Sequence, residues 1–287
     1  MKSVLLDSNP LKDEGYRIAG EVAARLSSLG MTVYVVEGEL PPPASSVPCQ
    51  SPPPDTDLIL VIGGDGTVLD MAPTAMALDV PICGINLGRL GYLATVETGN
   101  LSVLGRLASG EYEIRERTML SLAIDGAGGL RTCDRPAVND VVICREDNFG
   151  IAEFRLSDNC GNAVSYRADG VIVATSAGSS AYSLSAGGPL VDASVETICV
   201  TPICPHSFFN RSILFNPAAV ICVKNTSTRA QSMFIWVDGR PFGPLLPDET
   251  ARLTLHPKRL KMLAFTPDCM LNTLRRKMDA ADIIKPE

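Results

Sequence analysis

The sequence lacks most of the features that mark a membrane protein, a metalloprotein or a nucleic-acid binder. No apolar run reaches the ~18 residues of a membrane span. Basic residues are in deficit: 25 Lys and Arg face 32 Asp and Glu, for a net charge of −7. That argues against a broad nucleic-acid surface, but not against small anions, which local backbone donors can hold on an acidic protein. Charge runs and internal repeats are missing. There are nine cysteines, yet no Cys-x-x-Cys pair. Several sit inside apolar strand patterns, such as Ile82-Cys83-Gly84 and Val220-Ile-Cys-Val223. They read as reduced thiols that pack like small apolar residues, which places the chain in the cytoplasm. Cys199, Cys204 and His206 lack a fourth partner and match no common zinc spacing, so no metal site is expected. His206, one of two histidines, reads as a structural hydrogen-bonding residue, with a phosphate contact as the alternative. Trp236, the single tryptophan, lies in Met233-Phe-Ile-Trp-Val237 and reads as strand packing.

What is present suggests two domains, since 287 residues exceed the roughly 100–200 of one domain. Met1-Lys-Ser-Val-Leu-Leu-Asp7 is too short and too soon acidic for a signal peptide and reads as a first strand. Ile18, Val22, Leu26 and Leu29 recur at helical spacing over 12–29, and Gly30 is placed to end that helix in the left-handed conformation. Met31–Val36 reads as a strand. Strand, helix, strand is the order of a doubly wound α/β sheet. Residues 38–57 hold seven of the 21 prolines and read as an extended loop insertion. From about residue 111 the pattern changes to short strands, at 112–124, 137–145, 150–157, 164–167, 170–175, 197–203, 212–215, 219–224 and 232–237, as in an antiparallel all-β domain. Only 180–187 look helical there. Lys258–Phe265 reads as a strand and Asp268–Met278 as a helix, returning to the first domain. The expected division is 1–97 with 262–287, and 98–261.

Leu58-Ile-Leu-Val-Ile-Gly-Gly-Asp-Gly-Thr-Val-Leu69 is the stretch that organises the chain. Five apolar residues form a strand buried on both faces. Gly63, Gly64 and Gly66 then lead into a short helix, disturbed by Pro73, which Thr67 would cap with Asp70 three positions on. Glycine amides and a helix start attract phosphate. Asp65 would repel one, so acid–base work on an attacking hydroxyl is one reading; a turn aspartate bonding its own backbone is the other. After the next strand, at 81–85, Asn86-Leu-Gly-Arg-Leu-Gly-Tyr-Leu-Ala94 reads as a loop on the ligand side of the sheet. Further on, a buried strand at 171–174 feeds the small residues Thr175–Ala181 and then Tyr182. That run suits either a flat ligand against the backbone or a tight turn that needs small residues.

Taken in order, Gly63-Gly-Asp-Gly-Thr67, Asn86-Leu-Gly-x-Leu-Gly91, Asn139-Asp-Val-Val142, Asp169-Gly-x-Ile-Val173, Gly178-Ser-x-Ala-Tyr-Ser-Leu-Ser-Ala-Gly-Gly-Pro189, Thr201-Pro-Ile-Cys-Pro-His-Ser207 and Val237-Asp-Gly239 resemble the NAD kinase family along the whole chain. The first motif is shared with lipid kinases and related to the phosphofructokinase loop; the Gly178–Pro189 run is far more specific. The resemblance implies a phosphofructokinase-like α/β N-terminal domain, a sandwich-like all-β C-terminal domain, and a site between them. It implies transfer of a phosphoryl group from ATP or polyphosphate to the adenosine 2′-hydroxyl of NAD, with Mg²⁺ or another divalent cation carried by the donor. Asp65 would be the base and the backbone of Gly63, Gly64 and Gly66 would hold phosphates. Asn139 and Asp140 would contact the dinucleotide. Arg167 and Asp169 would line the nicotinamide side; Cys204 could lie near it and is not read as catalytic. Ser180, Ala181, Tyr182 and Ser185 would lie against the adenosine. Arg240 stands where the family often has glutamine. A homodimer or homotetramer is also implied. The chain departs from the family at Ser176 and Ala177, in place of proline and threonine, and at Asp140, in place of glutamate. The rivals are a lipid kinase and a non-catalytic dinucleotide sensor, for which a carboxylate beside phosphates has no use.

Overall fold

The computed structural model describes residues 1–35, 40, 46–88, 91–94, 96–146, 150–206, 209–227, 232–266, 270–271 and 274–275. The helix expected over 268–278 lies largely outside these residues, as does part of the proline-rich stretch at 38–57. In chain order come β1 (Ser3–Ser8), α1 (Arg17–Ser28), β2 (Thr32–Val35), β3 (Val47–Pro48), β4 (Leu58–Gly63), α2 (Asp65–Leu78), β5 (Ile82–Asn86), β6 (Val96–Glu97), α3 (Arg106–Ser109) and β7 (Glu113–Arg117). Then follow β8 (Leu120–Asp125), β9 (Arg131–Thr132), β10 (Asp140–Arg145), β11 (Ala152–Ser157), β12 (Ala163–Ala168), β13 (Gly170–Ala174), α4 (Tyr182–Ser185), β14 (Ile198–Ile203) and β15 (Ile213–Phe215). The chain continues with β16 (Ile221–Asn225), β17 (Met233–Val237), β18 (Arg240–Leu245), β19 (Thr250–Leu255) and β20 (Leu260–Ala264).

Two units form. The first is Met1–Glu116 with Leu260–Glu287, the second Arg117–Arg259. The first runs further than the expected division at residue 97, because Leu101, Leu104 and Leu107 are buried in its core. The expected strand at 112–124 is two strands, β7 in the first unit's sheet and β8 in the second's.

The first sheet has the order β3-β2-β1-β4-β5-β20-β7, with β6 on β5. The pairs β1–β2, β1–β4 and β4–β5 are parallel. Strand β4 is buried throughout. Its Leu58, Leu60 and Ile62 share a core with Ile18, Val22 and Leu26 of α1, while Ile59 and Val61 point to the opposite face. Helix α1 begins later than its apolar spacing suggests. Asp13 accepts hydrogen bonds from the Ile18 and Ala19 N–H groups, at 2.8 and 2.9 Å, and so caps the helix after a kink at Gly15 and Tyr16. It ends at Gly30, whose φ is +80°, with the Met31 N–H returning to the Leu26 carbonyl at 3.1 Å. Helix α2 spans 14 residues and tolerates Pro73 in its interior. Its cap is Gly64, not Thr67; the Thr67 hydroxyl instead accepts the Gly64 N–H at 3.5 Å.

The second unit is two six-stranded sheets, ordered β15-β14-β13-β10-β17-β18 and β12-β11-β16-β19-β8-β9. Alternate residues of both sheets meet in one core that includes Val141, Ile143, Val171, Val173 and Ile235 from the first and Leu122, Phe154, Tyr166, Val223 and Leu253 from the second. That is a sandwich. Phe154 and Tyr166 stack across β11 and β12 with centroids 5.4 Å apart. Strands β9, β18 and β19 escape the sequence reading. In β18, Pro241, Gly243 and Pro244 hide the pattern, and proline is tolerated because β18 is an edge strand.

Candidate functional site

In the first unit, strand order reverses between β1 and β4, since β2 and β3 lie on one side and β5 on the other. Ligands of open α/β sheets bind at the carboxyl ends of the strands at such a switch point. The carboxyl end of β4 is Gly63, and Gly64, Asp65 and Gly66 follow it into α2. A Cβ on Gly63 would meet the Thr67 hydroxyl at 2.3 Å, so only glycine fits. From β1, the Asn9 N–H donates to the Ile62 carbonyl at 2.9 Å, which lays the loop after β1 against this turn.

Asp65 bonds far along the chain rather than within its own turn. Its Oδ2 accepts the Tyr92 N–H at 2.8 Å; its Oδ1 accepts those of Leu93 and Ala94, both at 2.9 Å. Gly91 permits this approach, since a Cβ there would stand 1.9 Å from Oδ1. The loop of the Asn86–Ala94 motif is therefore fastened to the start of α2 by one carboxylate. A carboxylate offers about four acceptor positions; among the described residues three are used, leaving one on Oδ2. Lys12 was not singled out from the sequence. Its Nζ would lie 3.2 Å from a Cβ on Gly64, so an ammonium flanks the glycine turn.

In the second unit, Asp140 opens β10 and Asn139 immediately precedes it. Asp140 is 5 % exposed and accepts the Tyr182 N–H at the start of α4. Burial, first, and then the charge of Asp238 push its carboxyl up to about 7, while the Tyr182 N–H acts the other way. Asp238 is itself raised, by burial, against three N–H groups and Arg135. Asp238 and Gly239 both have positive φ, +48° and +74°, joining β17 to β18 through a two-residue turn of the kind Asp-Gly favours.

Tyr182 is half-exposed, and its hydroxyl is raised by burial and then by Cys144, Cys204, Asp169 and Asp140. The sequence-nominated Asp140, Asp169 and Tyr182 thus gather in one neighbourhood. Asp169 also pairs with Arg145 at 3.0 Å. Ser180 donates to the Ala177 carbonyl at 3.0 Å, and the Ala181 N–H to that of Gly178 at 2.9 Å, so the small-residue run is a tight turn. Helix α4 is anchored by buried hydroxyls, Ser183 to Thr201 at 3.0 Å and Thr201 to Ser212 at 2.9 Å. Ser185 is exposed. Ser176 has φ −59°, the value a proline ring imposes, so the serine keeps a proline-compatible backbone. Arg167 pairs with Glu153 on the neighbouring strand at 3.3 Å, and the His206 N–H meets the Arg167 carbonyl at 2.7 Å. Arg240 is exposed beside the hairpin turn. Trp236 is 37 % exposed and tilts against Phe234. Of the eight described cysteines, all free thiols, Cys160 and Cys204 are exposed; Cys83 is pushed up to about 12 by burial, which makes it inert.

Two family models match, ATP-NAD kinase N-terminal domain over residues 45–112 and ATP-NAD kinase C-terminal domain over 138–265. The NAD kinase of Symbiobacterium thermophilum is 34% identical over 262 residues, which is 90% of this chain and 92% of that protein. The NAD kinase of Lachnoclostridium phytofermentans is 34% identical over 282 residues, 96% and 99% of the two chains. Among solved structures, yeast NADH kinase complexed with NADH superposes with a TM-score of 0.83 at 23% identity, over 97% of this chain and 88% of that one. An NAD kinase from Archaeoglobus fulgidus in complex with ATP gives 0.70 at 23% identity, over 96% and 99%. At that identity the structures speak for the fold. The models and the curated relatives span both the α/β unit and the sandwich, and the chain belongs to the NAD kinase family.

Proposed function

We infer that this chain is an NAD kinase, transferring the terminal phosphoryl group of ATP to the adenosine 2′-hydroxyl of NAD to give NADP. The observation that carries this is the match to curated NAD kinases over 90% of the chain or more, through both units.

A sugar hydroxyl is a weak nucleophile. A positioned carboxylate that takes its proton helps by roughly 10²–10⁴-fold. Asp65 is that base in this reading, and the open acceptor position on its Oδ2 is where the hydroxyl would hydrogen-bond. The amides of Gly63, Gly64 and Gly66 and the start of α2 suit the donor's phosphates, and the Lys12 ammonium supplies a cation beside them. Among the described residues no group of three or more His, Cys, Asp or Glu is placed to hold a metal ion. A divalent cation that arrives on the donor's phosphate oxygens and keeps its waters fits this donor set; it would offset charge on the transferring group. Asn139, Asp140, Arg167, Asp169, Ser180, Ala181, Tyr182, Ser185 and Arg240 are assigned to the dinucleotide. Tyr182, half-exposed above buried hydroxyls, offers a ring face for the adenine. Cytoplasmic residence and a homodimer or homotetramer belong to the same proposal. Among the described residues no helix is long and apolar enough to cross a membrane.

The test is direct. Purified protein with NAD, Mg²⁺ and either ATP or polyphosphate is expected to form NADP. Phosphorylation of diacylglycerol in place of NAD would transfer the assignment to a lipid kinase, and tight NAD binding without turnover would make the protein a sensor.

A further inference from the structure

Assigning Asn139 and Asp140 to the dinucleotide makes no use of the β17–β18 hairpin, yet one side chain of that hairpin is bonded to both. The Asp238 Oδ2 accepts the Val138 N–H at 2.8 Å; its Oδ1 accepts those of Asn139 at 2.8 Å and Asp140 at 3.1 Å. The Asp238 N–H donates back to the Asp140 carbonyl at 3.0 Å. From the other side, the Thr175 N–H donates to the Asn139 carbonyl at 2.9 Å and its hydroxyl to the Val138 carbonyl at 2.7 Å. All three N–H groups and all three carbonyls of Val138–Asp140 are thereby engaged. Gly178 closes the arrangement, since a Cβ there would stand 1.9 Å from the Asn139 carbonyl oxygen.

We propose that Asp238 is a positioning residue for the dinucleotide, clamping Val138–Asp140 together with Thr175 so that the Asn139 and Asp140 side chains meet the ligand in one fixed arrangement. The proposal rests on the NAD kinase reading above. A carboxylate suits the position because three donors converge on it; an amide would turn its own N–H₂ toward one of them. The charge of Asp238 also acts on Asp140. The other groups around the pair are Tyr182 from α4, Arg135 and Cys133 from the segment before β10, and, around Tyr182, Cys144, Cys204 and Asp169. Because the Asp238 charge raises Asp140, its removal lets Asp140 ionise at lower pH.

The experiment measures NAD binding by calorimetry, from about pH 5 to about pH 9, on the unmodified protein and on Asp238→Asn, Thr175→Val and Thr175→Ser. In Asp238→Asn, affinity for NAD is expected to fall roughly tenfold or more and the midpoint of its pH dependence to move to lower pH. The KM for NAD should rise while the KM for ATP stays. Thr175→Val should weaken NAD binding and Thr175→Ser recover most of it. An Asp238→Asn protein with unchanged affinity and pH profile overturns the proposal. So does a loss that only tracks the unfolded fraction, with the midpoint unmoved. If Asp238→Asn does not fold, the threonine pair decides: equal NAD affinity in Thr175→Val and Thr175→Ser overturns the clamp. Failure of the unmodified protein to bind NAD overturns the NAD kinase reading and this proposal with it, an outcome distinct from changes confined to the variants.

Discussion

At the scale of single residues, the chemistry turns on how many demands one side chain can meet. Asp65 accepts three backbone N–H groups and in the proposed mechanism also receives a proton. Asp65→Asn keeps an oxygen for two of the donors but sets an amide N–H₂ against the third. Turnover should fall by about 10²-fold or more, with NAD affinity nearly kept; normal turnover in this variant would remove Asp65 from the role of base. The amide mismatch should also cost about 1–3 kcal/mol of stability, readable as a lower Tm. Lys12 is different, because it brings an ammonium to the Gly64 turn. Lys12→Met is expected to raise the KM for ATP roughly tenfold or more and leave the KM for NAD as it was. Equal changes in both constants would count against a donor-phosphate contact. Nothing in the spacing of Leu11, Lys12 and Asp13 picks out this lysine. It is brought to Gly64 by a loop 52 positions earlier in the chain, and sequence periodicity carries no information about such a meeting.

At the scale of elements, the glycines explain the motifs that the sequence displays. Gly91 belongs to the Asn86–Gly91 motif, and its lack of a Cβ is what lets the Tyr92–Ala94 amides reach Asp65. Gly91→Ala is expected to push the loop off the start of α2, at a cost of about 1–3 kcal/mol, and to depress turnover as Asp65 loses its orientation. Wild-type Tm and rate in that variant would show the loop yields freely. The Asp238-Gly239 turn acts in the same way: the sequence shows a two-residue hairpin signal, and the fold uses the signal's aspartate to grip Val138–Asp140. Thr67 shows where local reading misleads. The Thr67–Asp70 spacing resembles a capping box, but α2 begins at Asp65, and the Thr67 hydroxyl accepts the Gly64 N–H instead.

At the scale of the whole molecule, stability carries the cost of burying the Asp140 carboxylate. Asp140 has its proton held more tightly in the folded chain, up to about 7 against 3.8, so the folded state binds more protons between those values. Its contribution is therefore full below about pH 4 and is lost as pH rises toward 7, at about 1.4 kcal/mol per unit of displacement. Asp140→Asn is expected to flatten this slope in urea unfolding between about pH 4 and pH 7 and to make the protein more stable at pH 8, while weakening NAD binding. An unchanged slope would show that Asp140 is already ionised when the chain is folded.

The sequence by itself determined the two architectures and the family. A strand buried on both faces, helical spacing in α1 and alternation along β8, β11 and β16 are local patterns, written by which face meets water. The glycine motifs are legible for a related reason, since no other residue tolerates the contacts that Gly63, Gly91 and Gly178 make. Only tertiary structure decided that the first unit extends to Glu116, that Asp65 is satisfied by amides 27 to 29 positions away, and that Thr175 and Asp238 close on Asn139 from opposite sides. Those facts depend on which strands become neighbours, and pairing between distant segments is set by the packing of both faces at once rather than by any pattern within one segment.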